Sequence, residues 1–218
     1  MVSPERSPSQ PPAGLRALKK ARTRQAIAGV AIRLFAERGF DQVTVAEIAA
    51  VAEVSEKTVF NYFPTKGDLF FDESEEILAD FVRTVGERSA GESVVSAVRR
   101  FMAAQRRRVV GHRPAEPSAT FRALIEGSDA LRAYRRAMFA RFETELAAVL
   151  AADLRGGAES AAEPFVVAVA LVGVLRARFE VPATAVDAGT AQRELGIRAE
   201  RTLDLLEHGL SGYGRRDR

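Results

Sequence analysis

Three helix-start signals fall between residues 44 and 68, and they restrict the possible folds of this chain more than any other feature. The signals are Thr44 with Glu47, Ser55 alone, and Thr65 with Asp68. Thr44 and Glu47 have the spacing of a capping box, so a helix is predicted to begin at Val45. The helix after Ser55 must end before Pro64, because proline keeps its preceding residue out of the helical region. The sequence therefore predicts two short helices followed by the start of a third.

The rest of the chain also has helical periodicity, and no segment alternates convincingly between apolar and polar residues. Ile27, Ala31, Leu34 and Phe35 lie on one face of a helix that begins near Lys19, and a glycine at position 39 ends it. Further helices are predicted near residues 66–85, 92–110, 118–126, 128–154, 164–179 and 188–209. The predicted fold class is therefore all-α, with about nine helices.

Three segments differ in composition. Residues 1–17 contain four prolines, a glycine and several serines, so they are predicted to be a flexible basic arm. Residues 18–65 form a predicted domain of short helices. Residues 66–218 form a larger predicted helical domain, whose roles in ligand binding and dimerisation are considered below.

Charge is distributed unevenly along the chain. Residues 1–66 carry ten Lys or Arg and six Asp or Glu, whereas the rest of the chain carries 22 basic and 23 acidic side chains. A local excess of positive charge is typical of a protein that binds a polyanion, nucleic acid above all. A compositional fluctuation is the alternative explanation.

Several classes of protein are excluded or disfavoured. The chain has no cysteine and only two histidines, His112 and His208, so thiol chemistry is excluded and neither a metal site nor a cofactor is expected. No nucleophile elbow or phosphate-binding glycine loop is present, and an enzyme is not expected. The longest apolar run, residues 165–175, is about half of a membrane span. With no signal peptide in the sequence, we expect a soluble cytoplasmic protein.

Residues 44–66 have the dimensions of a helix-turn-helix, whose second helix enters the major groove of DNA. The first turn of that helix contains the candidate base contacts Ser55, Glu56, Lys57 and Thr58. Lys57 could donate to guanine, Glu56 could accept from cytosine, and Asn61 could pair with adenine. An ordinary solvated surface is the alternative for these side chains.

Two phenylalanines in the same segment are given a different role. Phe60 and Phe63 have no polar group for a phosphate, so both are predicted to pack in the core between the motif and the first helix.

The segment from residue 24 to residue 66 resembles the N-terminal domain of TetR-type transcriptional regulators. The resemblance rests on Leu34-Phe35, Gly39-Phe40, Thr44-Val45, Ile48-Ala49, Ala52-Glu53-Val54-Ser55, Tyr62-Phe63 and Lys66. It implies a homodimeric DNA-binding regulator, usually a repressor, that a small molecule releases from a palindromic double-stranded DNA operator. Thr44, Thr58, Tyr62 and Lys66 look like phosphate contacts, which agrees with the resemblance.

One residue departs from the family pattern. Glu53 occupies a turn position at which the family often has glycine. A left-handed conformation there costs a non-glycine residue roughly 1 kcal/mol.

The effector site is the least constrained prediction. A helical domain rich in phenylalanine has room for an apolar pocket, and the candidate ligand-binding residues are Phe81, Phe101, Phe121, Arg122, Met138 and Phe142. Ordinary core packing explains the same pattern. The segment from Phe121 to Arg132 is also similar to regulators with acyl-CoA-like ligands.

The apolar run at residues 165–175 and the last helix are predicted to pair with a second copy as a four-helix interface. Burial of that run within a monomer is the competing interpretation. A helical small-molecule-binding or carrier protein without DNA binding is the alternative function, although such a protein has no need of the motif at 44–66.

Overall fold

The structure is a computed structural model that describes residues 13–111, 119–153, 162–177 and 188–210, with side chains described for 17–105, 120–153, 163–177 and 197–209. Within these ranges it contains nine α-helices and no strand, so the all-α prediction is confirmed. The helices are α1 (Ala13–Arg38), α2 (Val45–Val51), α3 (Glu56–Tyr62), α4 (Lys66–Gly86), α5 (Val94–Gly111), α6 (Ala119–Gly127), α7 (Asp129–Asp153), α8 (Ala162–Arg176) and α9 (Ala188–Leu210).

The chain divides into two compact units, and the boundary between them lies within α4, between Phe70 and Phe71. The N-terminal unit contains α1, α2, α3 and the start of α4. The C-terminal unit contains the remainder of α4 and the later helices.

The N-terminal unit is built on the apolar face of α1. Ile27, Ala31 and Phe35 are fully buried there, as their helical spacing predicts. Gly39 ends the helix with a φ of 86°, a left-handed conformation that glycine adopts without steric cost. The Phe40 ring then folds back, with its centroid 4.9 Å from that of Phe35.

The start of α1 differs from the prediction. The helix begins at Ala13, so the last five residues of the segment predicted to be a flexible arm are helical. Proline fits immediately before or inside a helix start, and the residues that follow Pro12 include good helix formers such as Leu15 and Ala17. The prediction was wrong for residues 13–17 because it used the proline, glycine and serine content of all 17 residues. Residues 1–12 lie outside the described part of the chain.

The cap signals place most other helix boundaries. The predicted start of α2 at Val45 and the end of α3 before Pro64 are confirmed. α5 begins two residues later than predicted, because Ser93 is its N-cap and accepts a hydrogen bond from the Ser96 N–H at 3.1 Å.

The C-terminal unit is organised around α7, which packs against α6 and α8, while α9 packs against α5 and α8. Its core is mainly aliphatic and aromatic. Its fully buried members include Phe71, Leu78, Phe81, Val85, Ala97, Val98, Leu131, Leu146, Ala168, Leu171, Val172 and Leu203.

Two arginines tie helices of this unit together. Arg88 is 1% exposed and its guanidinium lies 2.7 Å from the carboxylate of Asp153 at the end of α7. Arg99 on α5 bonds to three carboxylates on one face of α9, those of Glu200 and Asp204 at 2.6 Å and that of Glu207 at 2.8 Å. The second arrangement fixes the side of α9 that faces α5.

α8 is apolar on all sides, but only one side is covered within the chain. Leu171 and Val172 are fully buried, whereas Phe165 is 46% exposed and Val166 is 64% exposed. The interpretation that the whole run is buried inside a monomer is therefore wrong for this face. None of the helices described combines the length and the hydrophobicity needed for a membrane-spanning segment.

Candidate nucleic-acid interface

The capping box predicted at the start of α2 is present with both of its hydrogen bonds. The Glu47 N–H donates to the Thr44 hydroxyl at 3.2 Å, and the Thr44 N–H donates to the Glu47 carboxylate at 2.7 Å. Arg38, the last residue of α1, adds an ion pair to the same carboxylate at 2.7 Å. The end of α1 therefore holds the start of α2.

These contacts lower the pKa of Glu47 from 4.5 to about 2, mainly through the Thr44 backbone N–H and then through Arg38 and the Thr44 hydroxyl. Because the pKa is depressed in the folded state, the stabilisation is present above pH 4.5 and is lost as the pH falls towards 2.

The turn between α2 and α3 is a Schellman ending. The Val54 N–H donates to the Ala49 carbonyl at 3.0 Å, and the Glu53 N–H donates to the Ala50 carbonyl at 3.2 Å. Glu53 has a φ of 54°, the one positive value at a non-glycine position within the described residues. The left-handed conformation expected at Glu53 is therefore confirmed, and it sets the angle at which α3 leaves α2.

α3 has seven residues and is held at both ends. At its start, the Ser55 hydroxyl accepts a hydrogen bond from the Thr58 N–H at 3.1 Å. At its end, the Arg24 guanidinium donates to the Tyr62 carbonyl at 2.9 Å and lies 4.5 Å from the centroid of the Phe63 ring. Arg24 is a positioning residue for α3, a role for which the sequence contains no signal, because the contact joins residues 38 positions apart.

The sides of α3 differ sharply in exposure. At 100° per residue, Glu56, Lys57, Phe60 and Asn61 fall within one arc, and all four are exposed. On the other side Val59 and Phe63 are fully buried. The core prediction is confirmed for Phe63 and is wrong for Phe60, which is 46% exposed because the cap, the turn and Arg24 fix the rotation of the helix.

The residues predicted to contact phosphates differ in exposure and in whether their hydrogen-bond donors are already used within the protein. The hydroxyl of Thr44 donates to Glu47 at 2.8 Å, and its N–H is also bonded to Glu47, so both of its donors are engaged within the capping box. The hydroxyls of Ser55 and Thr58 are 2.8 Å apart and bonded to each other. Tyr62 is half-buried at the end of α3. Thr44 would have to release Glu47 before it could donate to a phosphate.

Lys66 is the first residue of α4, and its ammonium lies 4.3 Å from the centroid of the Phe40 ring. Burial lowers the pKa of Lys66, and the charges of Asp41 and Glu47 oppose that shift. The Phe40 ring attracts the Lys66 ammonium through a cation–π contact, and the carboxylates of Asp41 and Glu47 attract it through their charge.

The candidate ligand-binding residues all lie in the C-terminal unit. Four of them are in the core, since the exposure of Phe81, Phe101, Met138 and Phe142 is 3% or less. The two others, Phe121 and Arg122, are half-buried.

One polar and aromatic cluster in this unit escaped the sequence analysis. Phe71 stacks on Tyr134 with ring centroids 5.1 Å apart and meets Phe121 edge-on at 5.8 Å. The Tyr134 hydroxyl donates to Glu75 at 2.6 Å, and Arg141 pairs with the same carboxylate at 2.9 Å. No sequence motif marks these residues, which are brought together by the packing of α4 against α7. Among the described side chains no group of three or more could hold a metal ion.

Residues 27–72 match the family model for "Bacterial regulatory proteins, tetR family". Two curated regulators are similar over the same part of the chain. The first is the HTH-type transcriptional regulator LuxR of Vibrio harveyi, 41% identical over 66 residues, which are 30% of this chain and 30% of the relative. The second is the HTH-type transcriptional regulator TcmR of Streptomyces glaucescens, 33% identical over 85 residues, which are 39% of this chain and 38% of the relative. The chain thus matches less than two fifths of the length of either regulator.

The likeness of fold extends further than the likeness of sequence. The crystal structure of a TetR-family regulator from Streptomyces coelicolor A3 superposes with a TM-score of 0.51 and 23% identity, over 90% of this chain and 99% of that one. The matched family is one of DNA-binding regulators and not of enzymes.

Replacing Glu53 by glycine tests the cost of the turn. Glu53→Gly should raise the free energy of unfolding by about 0.5 to 1 kcal/mol, because the relief of left-handed strain exceeds the backbone entropy that glycine loses. Urea unfolding followed by circular dichroism measures the change. Glu53→Gln keeps the strain and removes only the charge, so an equal gain from both variants would show that charge and not conformation is the cause.

Removing Arg24 tests the anchor at the end of α3. Arg24→Met should lower the free energy of unfolding by about 1.5 to 3 kcal/mol, the usual range for a hydrogen bond to a charged group. The matched control is Arg33→Met, an exposed position on the same helix, for which a change below about 0.5 kcal/mol is expected. Equal changes in the two variants would contradict a positioning role for Arg24.

Proposed function

We propose that the whole protein is a dimeric, ligand-responsive transcriptional regulator that binds a palindromic DNA operator, because residues 27–72 match the tetR family model and include the two short helices α2 and α3. We further propose that it represses transcription in the cytoplasm until a small molecule releases it. The observation that carries the DNA-binding role is the exposed arc of α3, which lies on a short helix anchored at both ends. A rigidly held helix with polar residues on its outer side suits the major groove.

Within this proposal, the residues of the arc read bases and their neighbours hold the backbone. Lys57 and Asn61 are exposed on the same side of α3, where they can reach guanine and adenine edges. Tyr62 and Lys66 lie at the end of α3 and the start of α4, where a phosphate contact would fix the position of the domain on the duplex. The excess of basic residues in 1–66 favours the same partner.

Variants of these side chains separate base reading from backbone contact. Lys57→Ala should relax the preference at one base position at a cost of about 1 to 3 kcal/mol, whereas Lys66→Ala and Tyr62→Phe should weaken binding to all sequences alike. Binding is measured by gel shift on a duplex selected from a random pool, over a range of salt concentrations. Arg136→Ala, at an exposed position on α7, is the matched control. Absence of binding at low salt, or binding that salt does not weaken, would overturn the proposal.

We propose that the protein dimerises through α8 and α9. The supporting observation is a set of exposed apolar side chains on these two helices. They are Phe165, Val166, Val169, Ile197 and Leu205. Exposed apolar surface of this kind marks interaction sites, and a two-fold dimer would present two copies of α3 to the two halves of a palindrome.

A charge on this face should separate the subunits. Val166→Glu is expected to convert a dimer to a monomer, because an unpaired carboxylate cannot be buried in an apolar interface without a large cost in free energy. Analytical ultracentrifugation measures the mass in solution. Ala148→Glu places the same charge at an exposed position of α7 and should leave the dimer intact. A monomeric wild-type protein would exclude this part of the proposal.

We propose an apolar effector with an anionic head group, of which an acyl-CoA is one example. The buried aromatic residues of the C-terminal unit provide the apolar surroundings, and half-buried Arg122 provides a guanidinium suited to a phosphate. Binding of such a ligand to one conformation would change the affinity for DNA by linkage.

Thermal unfolding tests the effector class. Palmitoyl-CoA at 100 times its dissociation constant should raise the melting temperature by about 5 to 10 °C, whereas coenzyme A alone should not. Arg122→Gln should reduce that shift, and Arg136→Gln on α7 should not. If palmitate matches palmitoyl-CoA in the wild-type protein and in both variants, the phosphates of coenzyme A play no part. If neither compound shifts the melting temperature, this effector class is wrong.

A further inference from the structure

Phe60 is the one apolar residue in the exposed arc of α3. It lies between Lys57 and Asn61 in the sequence and is 46% exposed, although Val59 on the other side of the same helix and Phe63 directly after the helix are fully buried. An exposed phenylalanine leaves apolar surface in water, which is unfavourable unless a partner covers it.

The exposure of Phe60 is enforced by the way that α3 is held. The Ser55 cap fixes one end of the helix, and the hydrogen bond from Arg24 to the Tyr62 carbonyl fixes the other. A rotation of α3 that buried Phe60 would break these contacts and bring Val59 out of the core. The side chain therefore faces outward as long as the N-terminal unit is folded.

We infer that Phe60 is a specificity-determining residue that packs against the C5-methyl group of a thymine in the major groove, an inference that rests on the proposed DNA binding. The edges of the bases in that groove present hydrogen-bond donors and acceptors, and the thymine methyl is their apolar group. A phenyl ring has nothing to offer a phosphate, but it can exclude water from a methyl group.

The surroundings of Phe60 favour DNA over a protein surface. Its neighbours in the arc are Glu56, Lys57 and Asn61, all of them polar and exposed. A protein interface normally surrounds an aromatic anchor with further apolar residues and is depleted of charge at its centre. A single ring among hydrogen-bonding side chains instead matches a surface on which a methyl group stands among polar base edges.

The test removes the methyl group from the DNA and the ring from the protein. The full-length protein first selects a duplex from a random pool, and each thymine of the selected site is then replaced in turn by deoxyuridine, which pairs identically but lacks the methyl. At one thymine in each half-site the replacement should weaken wild-type binding about fourfold, the effect of one buried methyl group. Phe60→Ala should bind the thymine and uracil duplexes equally.

A matched variant and three readouts separate the outcomes. Val51→Ala changes another exposed apolar residue of the same unit, 50% exposed on α2, and should keep the full response to deoxyuridine. If the wild-type protein selects a sequence but no deoxyuridine weakens binding, the inference is wrong and the proposed function stands. If the protein selects no sequence at all, the proposed function itself fails. If Phe60→Ala changes the oligomeric state while deoxyuridine has no effect, a protein surface covers the ring and the inference is overturned.

Discussion

A helix of seven residues has almost no stability of its own in water, so the use of α3 as a recognition element depends on contacts from outside it. They include the packing of α2 against α3 and the contacts of two arginines on α1 with the motif. Arg38 holds the capping box of α2, and Arg24, fourteen positions earlier on α1, holds the last carbonyl of α3. At 1.5 Å per residue the two arginines are about 21 Å apart along one helix. The helix α1 thus contributes a contact to each of the two short helices.

The start and end of the short helices could be predicted because their causes are local. A capping box needs two residues three positions apart, and a proline blocks the residue before it, so Val45 and Pro64 set boundaries that no distant contact overrides. The left-handed conformation of Glu53 was expected for a different reason, because the resembled family often has glycine at that position. The start of α1 was misplaced because a composition averaged over 17 residues masked a helix-forming stretch at its end.

The roles of Arg24 and Phe60 could not be predicted, because both depend on which way α3 is turned. That rotation is fixed by the burial of Val59 and by the hydrogen bond from Arg24 to Tyr62, both of which are tertiary interactions. The candidate effector-binding residues also could not be assigned from the sequence. Phe81 and Phe101 have the spacing of a core and are found in the core, and an aromatic residue beside a ligand would have the same spacing. Sequence periodicity locates buried positions without distinguishing between these uses.

The contacts between Arg99 and α9 should withstand the loss of one acidic residue better than the loss of the arginine. Loss of Glu200, Asp204 or Glu207 leaves the guanidinium with two of its three carboxylates, so the carboxylates act as substitutes for one another. Loss of Arg99 removes from all three the cation that they share and leaves like charges along one side of α9. Sequence drift in this part of the molecule should therefore fall on the acidic side of the cluster, with the arginine as the position that changes least.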